Sequence, residues 1–135
     1  MATGFSRLAI LHHKKYFITL YKYKMNWISL TDLGQLNDIM ETSFSKTTLI
    51  FKHSTRCSVS RMALRLFENE CDIEPALIDA YFLDLLNYRA ISNEIALKFN
   101  VEHQSPQLIV VKNGAVVYHA SHSEIDVAEL KKQVA

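Results

Sequence analysis

The stretch KHSTRCSVSRM, residues 52–62, sets one of the chain's two cysteines among hydroxyl and basic side chains, directly after the apolar run Leu49-Ile50-Phe51. A free cysteine is either an inert, buried filler or a reactive group, and its neighbours decide which. Polar residues on both sides of Cys57 are poor company for a core position. Lys52, His53, Arg56 and Arg61 bring positive charge, and no acid occurs between Glu41 and Glu68. Such surroundings favour the thiolate, which is the form that attacks disulfides. Position 60, where a second cysteine would make a dithiol motif, is serine, so the pattern is Cys57-x-x-Ser60. A hydroxyl cannot resolve a mixed disulfide, but it can donate a hydrogen bond to the Cys57 thiolate. Arg56, His53 and Ser60 are thus the expected thiolate support. Cys71 lies fourteen residues on. That is about 21 Å along a straight helix at ~1.5 Å per residue, against a disulfide limit of ~7 Å between Cα atoms. Cys71 reads as core packing.

The elements around Cys57 follow from periodicity. Trp27-Ile28-Ser29-Leu30 is a short strand, and Thr31 is placed to cap a helix whose apolar positions are Leu33, Leu36, Ile39, Met40 and Phe44. Residues 48–52 form a buried strand. After Cys57, the residues Val59, Met62, Ala63, Leu66, Phe67 and Cys71 recur as a helical stripe. Residues 77–83 are strand-like, and residues 89–100 place Ile91, Ile95, Ala96 and Phe99 on one helical face. Residues 107–112 and 115–121 flank Asn113-Gly114, a strong signal for a tight hairpin. Ser123-x-x-Asp126 resembles a capping box before a last helix toward Lys132. The order is βαβαβαββα, an α/β fold with a parallel core, an antiparallel closing hairpin and helices on the sheet. In this order Cys57 ends a buried strand and opens a helix, next to unpaired N–H groups and the positive end of the helix dipole.

Composition narrows the class. At 135 residues the chain makes one domain that needs neither metal nor disulfide to build its core. Two cysteines do not make a disulfide framework, so the thiols are expected reduced and the protein cytoplasmic. The net charge of +1 hides an asymmetry: residues 1–24 carry Arg7, Lys14, Lys15, Lys22 and Lys24 and no acid, and the remainder carries −4. Residues 1–24 read as a basic extension, either a flexible tail or sequence ahead of a true start at Met25, and residues 25–135 as the domain. No apolar run suits an export signal or a membrane span. Six histidines raise the question of a metal. His12-His13 lies in the extension, and His119-x-x-His122 puts its rings on opposite faces of a strand, so no metal site is expected. Three scattered glycines exclude a phosphate-cradling loop.

A strand, a cysteine at a helix start and a later Ser105-Pro106 leading into a hairpin together look like a thioredoxin fold. The segments FKHSTRCSVS, RAISNEIALKFNVEHQSPQLIVVKNG and ASH resemble the monothiol bacilliredoxins of the YtxJ family, over about residues 26–135. The resemblance implies that Cys57 is the redox residue. It further implies that Thr55, Ser105 and Pro106 bind substrate, and that the Ser105-Pro106 bond is cis and faces the cysteine, leaving the Ser105 backbone to pair with an incoming strand. The implied substrate is a protein thiol capped by bacillithiol, with bacillithiol as co-substrate and no bound cofactor. The partners would be bacillithiolated proteins, with no role for nucleic acid or membrane and a monomeric chain. Ser58 stands where the family often has proline, and Ser123 where many members have an aromatic. The residues themselves leave the capping thiol open, because glutathione, bacillithiol and coenzyme A offer the same disulfide chemistry. They also leave open a glutaredoxin-like iron–sulfur carrier, disfavoured by bulky Arg56 and Val59, and a binding module in which Cys57 only caps its helix.

Overall fold

The computed structural model describes residues 23–134, so the expectations for residues 1–22, including His12 and His13, lie outside the described residues. The elements in chain order are β1 (Trp27–Ser29), α1 (Gln35–Thr42), β2 (Thr47–His53), α2 (Ser58–Glu70), β3 (Ile78–Asp84), α3 (Arg89–Phe99), β4 (Gln107–Lys112), β5 (Ala115–Ser121) and α4 (Val127–Lys132). Short 3₁₀ turns at Pro75–Leu77 and His122–Glu124 link them. The expected alternation holds. The sheet order is β1-β3-β2-β4-β5; β1, β3 and β2 run parallel, and β4 and β5 close it antiparallel.

All seven residues of β2 are buried, because the strand is central and helices cover both faces of the sheet. Its side chains alternate between two cores. Ile50 packs with Leu36, Ile39, Leu83, Ile95 and Ile109 on the face of α1 and α3, whereas Leu49 and Phe51 pack with Phe67, Leu108, Val110 and Leu130 on the face of α2 and α4.

Local signals place the ends of elements. Helix α3 stops at Asn100, which takes a left-handed backbone (φ 53°) and returns its N–H to the Ala96 carbonyl. At the β4–β5 turn both Asn113 (φ 54°) and Gly114 (φ 77°) have positive φ, the geometry of a tight hairpin. Glycine is required there twice over, since a Cβ at 114 would meet the Phe44 ring at 2.6 Å.

Expectations for three helices need correction. Thr31 is not the cap of α1, which starts at Gln35 after a turn in which the Asp32 carboxylate accepts the Gly34 N–H at 2.9 Å. Leu33 and Phe44 fall outside the helix and are exposed, leaving Leu36 and Ile39 as its buried positions. Asp126, not Ser123, caps α4, by accepting the Ala128 N–H at 2.8 Å. The third correction concerns α2. Its sequence carries two helical stripes one residue apart: Val59, Met62, Ala63 and Leu66 in one, Ser60, Leu64, Phe67 and Cys71 in the other. The sheet covers the second, and of the first only Ala63 packs against the same core. Val59, Met62 and Leu66 remain 52%, 55% and 50% exposed, although they were expected in the core.

Candidate active site

Parallel and antiparallel pairing brings four chain segments to one end of the sheet. His53, the last residue of β2, lies beside Asp84 at the end of β3, and Lys52 lies beside Gln107 at the start of β4. Gln107 in turn pairs with Ser121 at the end of β5. The loop carrying Cys57, the loop carrying Ser105 and Pro106, and the turn at His122 therefore leave the sheet together. The Ser105-Pro106 peptide is cis, as the resemblance implied. The Pro106 carbonyl accepts the His122 N–H at 3.1 Å, which ties two of these segments to each other.

Cys57 is the N-cap residue of α2, with extended backbone (φ −106°, ψ 122°) and no side-chain cap bond. Its thiol is free and partly exposed. Its N–H reaches the Ser54 carbonyl at 3.2 Å, and its own carbonyl accepts the Arg61 N–H at 3.0 Å. The Arg61 guanidinium donates to the Thr55 carbonyl at 3.1 Å, so the basic residue braces the turn that presents the sulfur. Arg56 and Thr55 are exposed beside it.

Ser60 is fully buried, and its hydroxyl has other partners than the one expected. It accepts the Ser54 N–H at 3.0 Å and lies 2.8 Å from His53 Nδ1. With one proton to give and a second lone pair still open, the hydroxyl can serve either tautomer of the His53 ring. Ser60 thus fastens the Cys57 loop to the end of β2 rather than bonding the sulfur. His53 is also revised. Burial pushes its pKa down, opposed by the Asp84 charge and reinforced by Arg61, so the neutral ring is favoured over the cation foreseen beside the thiolate.

Lys52 faces the other core. Its fully buried amine lies 2.6 Å from His103 Nδ1, and Ser92 Oγ lies 3.3 Å from the same nitrogen. Burial brings the Lys52 pKa down to about 8, and burial with the Lys52 and Arg89 charges lowers that of His103. The positive cluster read from the sequence is therefore divided: Arg56 and Arg61 belong to the surface at Cys57, while Lys52 and His53 belong to opposite interior faces. His103 and Asp84 were not singled out by sequence reasoning. His103 sits in the same H-x-S-P-Q stretch as Ser105 and Pro106, which was its only signal, and Asp84 became visible only through the pairing of β2 with β3.

Cys71 is buried just past the far end of α2, where burial pushes its thiol pKa up. At ~1.5 Å per residue a 13-residue helix separates the two sulfurs by far more than a disulfide spans. Among the described residues no group of three or more His, Cys, Asp or Glu side chains is placed to hold a metal ion. No helix among them is long and apolar enough to cross a membrane.

Comparison with known proteins decides the family, for the model of the family described as monothiol bacilliredoxin BrxC matches residues 28–130. The chain belongs to the monothiol bacilliredoxins. A solved protein with a thioredoxin fold is 31% identical with a TM-score of 0.67, covering 78% of this chain and 91% of that one. Malassezia sympodialis thioredoxin is similar in fold, at 18% identity and a TM-score of 0.64, with 91% and 96% covered. Thioredoxin O2 from Arabidopsis thaliana, in its oxidized state, follows at 20% identity and 0.59, with 79% and 90% covered. This bacilliredoxin is a thiol–disulfide oxidoreductase of thioredoxin-like fold.

Proposed function

We propose that this bacilliredoxin removes bacillithiol from capped protein thiols by a monothiol route, with Cys57 as the attacking group. The Cys57 thiolate attacks the bacillithiol sulfur of the mixed disulfide. The old S–S bond breaks, the protein sulfur leaves as a thiolate and takes a proton from solvent, and Cys57 is left carrying bacillithiol. A second bacillithiol thiolate then attacks the cap, releasing bacillithiol disulfide and restoring Cys57. The observation that carries this reading is the division of labour between the thiols. Cys57 is free and partly exposed at a helix start, whereas Cys71 is buried at the other end of the same helix and Ser60 has no sulfur to offer. Thr55, Ser105 and Pro106 are the substrate-contact positions on this reading, and Arg56 and Arg61 give the mouth its positive charge. Bacillithiol serves as co-substrate and no cofactor stays bound. The partners are bacillithiolated proteins, and the chain acts as a monomer in the cytoplasm without nucleic acid or membrane.

Intact mass tests the reading. Reduced protein exposed to bacillithiol-capped substrate is expected to accumulate one bacillithiol adduct per chain. Cys57→Ser is expected to abolish both adduct and turnover, and Cys71→Ser to retain them. Disulfides of glutathione and coenzyme A, run in parallel, are expected to form the adduct more slowly. Equal rates with all three would leave generic thiol exchange and remove the bacillithiol assignment.

A further inference from the structure

Helix α2 exposes an apolar stripe that starts at Val59, two residues after Cys57. Val59, Met62 and Leu66 are each about half exposed, and with Ser58, Ala63, His122 and Ser123 they line an open groove of about 400 Å³. Three aliphatic side chains in one row, left in water beside a reactive thiol, are a costly way to end a core and mark a contact surface. The opposite wall is held in place. His122 keeps a left-handed backbone (φ 55°), unusual outside glycine and asparagine, while donating its N–H to the Pro106 carbonyl. The groove is thus continuous with the segments that surround Cys57.

We propose that this groove seats an aliphatic or aromatic side chain of the substrate polypeptide, a few residues from its capped cysteine, and so selects which capped proteins are reduced. The proposal rests on the Cys57 reading given above. Charge decides the occupant. The lining holds no Lys, Arg, Asp or Glu. A small cysteine-derived thiol carries ionised groups close to its sulfur and finds no Lys, Arg, Asp or Glu to pair with in this mostly apolar groove, where Ser58, Ser123 and His122 are the polar residues. Its complement is the exposed Arg56, with Arg61 and Arg65 on another side of α2. Cap and polypeptide therefore have separate places: the ionic cap toward the arginines, the apolar side chain in the groove. A second copy of the chain fits less well, because three half-exposed residues fall far short of the ~800 Å² per partner that a stable interface buries.

The test compares three substrates on wild-type protein and on a Val59→Ser, Met62→Ser, Leu66→Ser variant. They are a short peptide with bacillithiol on its single cysteine and leucines on either side, the same peptide with serines for the leucines, and bacillithiol disulfide. All three substituted side chains are half exposed, so the variant is expected to fold, which its melting temperature and the alkylation rate of Cys57 report. Wild-type protein is expected to prefer the leucine peptide about tenfold in kcat/KM, mainly through KM, as burial of an aliphatic side chain predicts. In the variant that preference is expected to vanish, the loss being confined to the leucine peptide. Equal wild-type rates for the two peptides would overturn the proposal. So would a comparable loss on bacillithiol disulfide in a folded variant with normal Cys57 alkylation, which would make the cap the occupant. A concentration-dependent dimer, seen by sedimentation and abolished in the variant, would assign the groove to a second copy. If wild-type protein turned over no bacillithiol substrate, the function proposed above would fail by itself. The leucine and serine peptides capped with glutathione would then rank the groove independently.

Discussion

Ser60 illustrates how one buried hydroxyl can hold the loop of a candidate nucleophile without bonding its sulfur. It joins the part-buried Ser54 N–H to the buried His53 ring, so removing it leaves both nitrogens without this partner. Ser60→Ala is expected to cost about 1–3 kcal/mol of stability, the range for leaving buried polar groups unsatisfied, as read by denaturant unfolding. Loss of the clip is also expected to loosen the turn that presents Cys57. Lys52 allows a sharper test, because its buried amine is held against the His103 ring rather than a carboxylate. The unfolded chain keeps the lysine proton up to the ordinary value of 10.5, while the folded chain releases it near 8. Between these values the unfolded state binds more protons, so folding gains stability as pH rises, by at most about 1.4 kcal/mol per pH unit. Below pH 8 the amine is charged in both states and the gain is absent. The stability difference between wild type and Lys52→Met, followed by urea unfolding, is expected to rise from pH 8 to 10, above the range in which His103 titrates. A flat difference throughout would mean that the amine is solvated.

At the scale of elements, α2 carries two neighbouring apolar stripes with different fates. Phe67 sits in the core against Phe51 and Trp27, at ring-centre distances of 5.4 Å and 6.0 Å. Leu66, the residue before it, is half exposed on the groove. Phe67→Ala is expected to cost about 3–5 kcal/mol, as for other buried aromatics. Leu66→Ala is expected to cost less than about 1 kcal/mol, since little of its contact area lies in the core. Thermal unfolding of the pair checks both, and comparable losses would mean that the exposed stripe is packed in solution.

For the whole molecule, one sheet with two cores predicts a single cooperative unit. The chain's only tryptophan, Trp27, packs against Phe51, Phe67 and Phe82 and donates to the Glu68 carboxylate at 2.7 Å, bridging the first strand to α2. Cys71 is buried in the same core. Trp27 fluorescence and alkylation of Cys71 are therefore expected to report the same urea midpoint, the behaviour of two-state domains of this size. Cys57 is expected to react in the native state, well below that midpoint. Labelling of Cys71 before the fluorescence changes would reveal independent opening of the α2 layer.

Much of this was legible in the chain itself. Alternation and turn chemistry determined the element order, and the Asn113-Gly114 hairpin could be read from two residues because only a few side chains accept positive φ. Local sequence also determined Cys57: polar flanks and a serine at position 60 define a monothiol helix start wherever the helix packs. The tertiary structure alone decided which stripe of α2 faces the sheet, because residues 59–66 and 60–71 satisfy the same helical period and only the position of the sheet chooses between them. It alone paired Ser60 with His53 and Lys52 with His103, since hydrogen bonds between distant segments depend on strand register, and side chains one residue apart on a strand enter opposite cores. Local chemistry singles out the candidate cysteine; long-range packing determines what surrounds it.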